Sequence, residues 1–139
     1  ITPAAGSVGP AGGMVIGMMG GFICFFATHY LKNKLKIDDS LDVFPVHGVG
    51  GMLGTLLAAV FISSDLGVFS GNGYAEGMAL GSQLTIQIIG ILATGIYTLV
   101  VTVILMKVVG AITSGNRVSN EDEMTGLDIT DHNEKGYSM

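Results

Sequence analysis

Charge is absent from three long stretches of this chain, 1–31, 43–64 and 77–106, and nothing else in the sequence constrains its fold as much. The six basic and eleven acidic residues gather instead at Lys32–Asp42, at Asp65 and Glu76, and from Lys107 onward. A helix crossing ~30 Å of hydrocarbon needs about 20 mostly apolar residues, and each stretch is long enough. Only 12% of the 139 residues are charged, against roughly a quarter in a water-soluble domain, which excludes an ordinary globule. A chain this apolar cannot stay solvated and unfolded either. The fold class expected is an all-α polytopic membrane protein, a helical bundle with three full transmembrane helices.

The spans are helix A over 12–31, helix B over 43–63 and a long helix C over 77–109. Residues 1–11, broken by Pro3 and Pro10, read as the end of a preceding membrane helix and a turn. With no initiator methionine, the chain is expected to be the C-terminal piece of a larger protein. A signal peptide is a poor alternative for the first stretch, which lacks a basic leader. The charge-free part of helix C would reach about 45 Å, so it must tilt or project from the bilayer. Every Lys and Arg falls in the 32–42 loop or after helix C, at Lys107, Arg117 and Lys135. Three crossings put those segments on one side, which the positive-inside rule makes cytoplasmic. The 64–76 loop is then extracytoplasmic and the 110–139 tail cytoplasmic.

Glycine fills 22 positions. Membrane helices associate through small residues that let backbones approach. Gly13, Gly17 and Gly21 in helix A, and Gly50, Gly51 and Gly54 in helix B, are the expected packing residues. The stripe Val46, Val49, Leu53, Leu56 and Val60 suits lipid or a bulky neighbour. So much small-residue surface calls for further helices. Glycines inside apolar helices do not form a nucleotide-binding turn. A net charge of −5 gives no footprint for nucleic acid.

His47 is the polar group that most needs explaining. An ionisable side chain within a membrane span is by default a candidate functional residue. At helical spacing it shares a face with Val43, Gly51 and Gly54, away from the Val/Leu stripe, and so points into protein or a cavity. Counting from Ser63 puts it about 24 Å from the outer end of helix B. A histidine merely hydrogen-bonded between helices would account for the same position. Asp42 or Ser40 can cap the helix, with Pro45 in the first turn, where a missing N–H costs little. Phe44 and Val43 then sit at the cytoplasmic mouth. No catalytic set emerges, so no enzyme is expected, and no cofactor. A lone histidine cannot hold a metal, and the single cysteine, Cys24, forms no cluster.

The run from Asp38 to Gly51, DDSLDVFPVHGVGG, closely resembles the D-x-x-x-V-H-G-x-x-G signature of the ammonium transporter (Amt/MEP/Rh) family. The glycine-laced helix A, GYAEG at 73–77, Gln83 and the tail residues Gly126, Leu127, Asp128, His132 and Tyr137 follow in that family's order. The similarity spans essentially the whole chain and corresponds to the last three of eleven spans. It implies channel-like transport of ammonium or ammonia by a homotrimer in the cell membrane, with a role in nitrogen metabolism. Each subunit would carry its own apolar pore, lined by two histidines. His47 matches the second of them, Val43 a pore-lining aliphatic, and Asp42 the carboxylate below it. The first histidine, the gating phenylalanines and the recruitment residues would lie upstream. The resemblance further implies that the tail engages PII-type signal proteins. An apolar pore disfavours a bare ion, so ammonium would lose its proton before crossing. Neutral imidazoles could then donate to and accept from ammonia, or relay the proton. An ammonium sensor reusing the same residues, or a purely structural membrane subunit, are the alternatives.

Overall fold

The structure is a computed structural model and describes residues 2–113 and 115–137. Ile1, in the expected first segment, and Ser114, Ser138 and Met139, in the tail, lie outside the described residues. All regular structure among the described residues is helical. Three helical stretches, Pro10–Asn33, Phe44–Phe61 and Leu80–Ile112, are long and apolar enough to cross a membrane. The chain divides into two compact units, one ending at Thr94 and the other beginning at Gly95.

In the first unit, helix α1 runs from Pro10 to Asn33. Pro10 opens it, where its fixed φ suits a helix and its absent N–H would have had no partner anyway. The helix ends as the Lys34 and Leu35 amides both donate to the Tyr30 carbonyl, at 2.9 and 3.2 Å. Lys36, with φ at 55°, then turns the chain away. After the loop, a π-helical turn over Phe44–Val49 leads directly into α2, Gly50–Phe61.

The two helices are antiparallel and meet at positions that fall on multiples of four along α1. Gly12 lies against Phe61, Ile16 clusters with Ala58, Cys24 lies against Gly50, and Lys32 pairs with Asp42. Ile16 is wholly buried, between the buried Gly12 and Gly20 of its own helix. A bulky knob flanked by glycine hollows lets the backbones approach while filling the space between them. The row in contact is therefore Gly12–Ile16–Gly20, one residue before the expected Gly13–Gly17–Gly21 row. Gly13 and Gly21 face open space.

The chain closes the Phe61 end of this pair with backbone hydrogen bonds. Gly71 N–H donates to the Ser63 carbonyl at 2.9 Å, and Gly73 N–H to that of Ile62 at 2.6 Å. Asn72 reaches across to the turn before α1, its amide to the Ser7 carbonyl at 3.0 Å and its side chain to that of Gly6 at 2.6 Å. Tyr74 hydroxyl donates to the Ala59 carbonyl at 2.9 Å. Two glycines make this closure possible. A Cβ on Gly71 would strike the Phe61 and Ser7 carbonyl oxygens, and one on Gly9 the Ser70 carbonyl oxygen.

Helix α3 spans Leu80–Ile112, about 50 Å. It starts later than Gly77 because Gly77 is left-handed, with φ at 76°. The Ser82 hydroxyl accepts from the Ala79 N–H at 2.9 Å and caps the start. No residue of α3 is buried.

In the second unit, the end of α3 is followed by a turn that folds back on it. Asn116 donates to the Met106 carbonyl at 2.8 Å and lies over Gly110. Arg117 Nη2 approaches Glu123 Oε1 at 2.9 Å. Ser119 caps α4, Asn120–Thr125, by accepting from the Asp122 N–H. Gly126, at φ 98°, breaks the chain before α5, Leu127–Thr130.

Candidate functional site around His47

His47 lies inside the π-helical turn, and the residues before it account for that geometry. The Asp39 carboxylate accepts two backbone N–H groups, Val43 at 2.9 Å through Oδ1 and Phe44 at 2.8 Å through Oδ2. Those bonds hold the Asp39 carboxyl below its ordinary range, Phe44 first and Val43 next, with a smaller pull from Lys32. Pro45 is fully buried and brings no N–H to the helical ladder. Val46 N–H donates to the Asp42 carbonyl at 3.0 Å. Wide turns of this kind are rare in helices and concentrate at functional sites.

Capping falls to Asp39 and not to the expected Asp42 or Ser40. Asp42 is left-handed, with φ at 55°, which turns its carboxylate away from the helix start. That carboxylate meets Lys32 instead, with Oδ1 2.7 Å from Nζ. In the sequence Asp39 is one of an acidic trio with Asp38 and Asp42, and Lys32 one of three loop lysines, in a segment that reads as a solvated loop with a helix cap. An acidic residue four positions before Val43, just ahead of a proline in the first turn, was the available signal for the cap.

Residues that a helical wheel puts on one face differ in how far α1 covers them. Gly50 and Gly54 are buried, and Gly50 packs on Cys24. Val43 is 51% exposed and Phe44 54%. His47 is exposed beside them, and Gly51, one helical turn on, faces open space. His47, Val43 and Gly51 thus lie on the side that α1 leaves uncovered. The Phe44 ring lies over Gly48, where an added Cβ would come within 2.9 Å of it.

A separate groove of about 450 Å³ runs along α1 and is lined by Gly17, Gly20, Gly21, Cys24, Phe25, Thr28, Val46 and Gly50. His47 is not among its walls. Of the tail residues, Gly126 is the left-handed joint between α4 and α5, and Leu127 and Asp128 open α5. His132 and Tyr137 are exposed. Among the described residues no cluster of His, Cys, Asp and Glu is arranged to hold a metal.

An imidazole set among Val43, Phe44 and Val46 can offer one donor and one acceptor to a small polar species in apolar surroundings. Comparison with known proteins shows the family. The model of the Ammonium Transporter Family matches residues 1–137. An ammonium transporter of Bacillus subtilis is 38% identical over 137 residues, 99% of this chain and 33% of the relative. Ammonium transporter Amt1 of Archaeoglobus fulgidus is 39% identical over 140 residues, 99% of this chain and 34% of the relative. Ammonium transporter 1 of Schizosaccharomyces pombe is 38% identical, covering 99% of this chain and 28% of the relative. The chain spans about a third of the length of these curated relatives. With three spanning helices and this likeness along nearly its whole length, the chain is a multi-pass membrane protein of the ammonium transporter family.

Proposed function

We propose that the chain is the C-terminal third of an ammonium transporter and supplies the inner half of its conduction path. The observation that carries this is the placement of His47. It stands in a π turn on the uncovered side of its helix, beside Val43 and Phe44. The rest of the transporter would close that side into a pore and bring a second histidine against the first. An ammonium ion pays heavily to enter such a lining, so it gives up its proton at the outer entrance. Ammonia then passes along the neutral imidazoles, which donate to and accept from it in turn.

The uncovered small-residue positions Gly13, Gly21 and Gly51 fit contacts with helices elsewhere in the subunit or in a homotrimer. The proposed setting is the cell membrane, and the Lys/Arg distribution supports a cytoplasmic tail. There Gly126, Leu127, Asp128, His132 and Tyr137 would serve as contacts for a PII-type regulator. The intact protein in proteoliposomes is expected to move methylammonium down its gradient and to exclude potassium. Equal permeation by potassium, or no methylammonium flux, would sink the assignment. Truncation after Gly115 is expected to abolish control by nitrogen status while leaving flux, and unaltered control would remove the tail from the account.

A further inference from the structure

We propose that the Lys32–Asp42 ion pair is a latch that holds the π turn and thereby sets where the His47 ring lies. Asp42 has φ at 55°, a left-handed conformation that side-chain-bearing residues adopt at a cost. Such a conformation persists only where its surroundings over-determine it. Its carbonyl receives the Val46 N–H at 3.0 Å, so the geometry of Asp42 is passed straight into the turn. Its Oδ1 is shielded from solvent and has no hydrogen-bond partner beyond the Lys32 ammonium at 2.7 Å.

Lys32 belongs to the last turn of α1. The Gly12–Ile16–Gly20 row anchors that helix, so the ammonium is presented from a fixed base. Asp39 cannot do this work alone. Its carboxylate grips Val43 and Phe44, beyond Asp42, and its carbonyl takes the Asp42 N–H at a long 3.3 Å.

Without the ammonium, the Asp42 carboxylate, a third of whose side chain is exposed, would turn to water, and nothing would then hold its backbone where it is. Asp42 would relax toward the right-handed region and the turn would tighten to an ordinary α-helix. That change of register rotates His47 by roughly 100°, one helical residue.

The consequence for transport rests on the proposed role of His47, but the geometry can be read without it. In the full-length transporter, modification of His47 by diethylpyrocarbonate can be followed by mass spectrometry of its peptide. Lys32→Met and Asp42→Asn are each expected to change that rate at least threefold, in the same direction. The double variant should change it no further, and Lys32→Arg should restore it. Asn tolerates left-handed backbone, so Asp42→Asn removes the charge without forbidding the fold and decides the matter even if Lys32→Met is not recovered. Wild-type rates in both single variants, or additive effects in the double, would overturn the latch. Altered modification with unaltered methylammonium uptake would support the latch and count against the proposed role of His47. Altered uptake with unaltered modification would overturn the latch, because the ion pair would then act on transport without moving His47.

Discussion

The two ends of the α1–α2 pair are held by different chemistry. Near Gly9 and Gly71 the chain is closed by backbone hydrogen bonds, and glycines sit where any Cβ would strike a carbonyl oxygen. At the other end the hold is a carboxylate cap, one ion pair, a left-handed aspartate and a π turn. The first arrangement leaves no slack, because main-chain atoms cannot swing aside. The second depends on side-chain charges and on backbone kept away from its preferred region, so it can be adjusted. The adjustable end carries the ionisable side chain.

The largest effect should come from breaking the rigid end. Gly71→Val drives a side chain into the Phe61 and Ser7 carbonyl oxygens and the Ile62 Cα, and is expected to cost about 3 kcal/mol. Thermal unfolding in detergent would read this, and an unchanged midpoint would show that the closure is dispensable. Midway along the pair, Gly50→Leu crowds the Cys24 sulfur and should cost about 2 kcal/mol in the same assay.

Asp39→Asn should act at the adjustable end, lowering the midpoint by a few degrees. The sign with pH follows from the lowered carboxyl of Asp39. A depressed folded-state value means the cap contributes fully above the ordinary carboxylate range, about pH 4, and is lost as pH falls through the lowered value. As pH falls from about 5 through that lowered value, the wild type should therefore lose the advantage it holds over Asp39→Asn. Parallel acid curves would mean that Asp39 does not cap the turn in solution. The smallest effect is expected for Gly13→Ala, where nothing lies within 4 Å of the new methyl. It should shift stability by less than about 1 kcal/mol, and a larger loss in the intact protein would place another helix on that side.

Much of this was legible in the charge pattern. Lys32–Asp42 and Asp65–Glu76 bracket the helices because charges are costly within the bilayer, and His47 stood out as the ionisable group between them. Finer placement was not legible, for identifiable reasons. The rows through Gly12 and Gly13 have the same spacing of four, and only the shape of Ile16 in its hollow selects the first. Asp38, Asp39 and Asp42 are equally plausible caps in one dimension, and the left-handed backbone at Asp42 settles which carboxylate faces the amides. A helical wheel shows which residues share a face and not how far a neighbouring helix covers it, so it does not tell that Gly54 is buried while His47 is exposed. Gly77 is left-handed, which a hydropathy pattern does not record, and α3 starts at Leu80 in consequence.

The central claim is that the adjustable end exists to hold the His47 imidazole in the conduction path. It is tested most directly by methylammonium uptake through the intact transporter carrying His47→Ala, with potassium as the competing ion. The account predicts at least a tenfold loss of uptake, or leakage of potassium, in a protein that still assembles. Uptake and selectivity equal to wild type would contradict it.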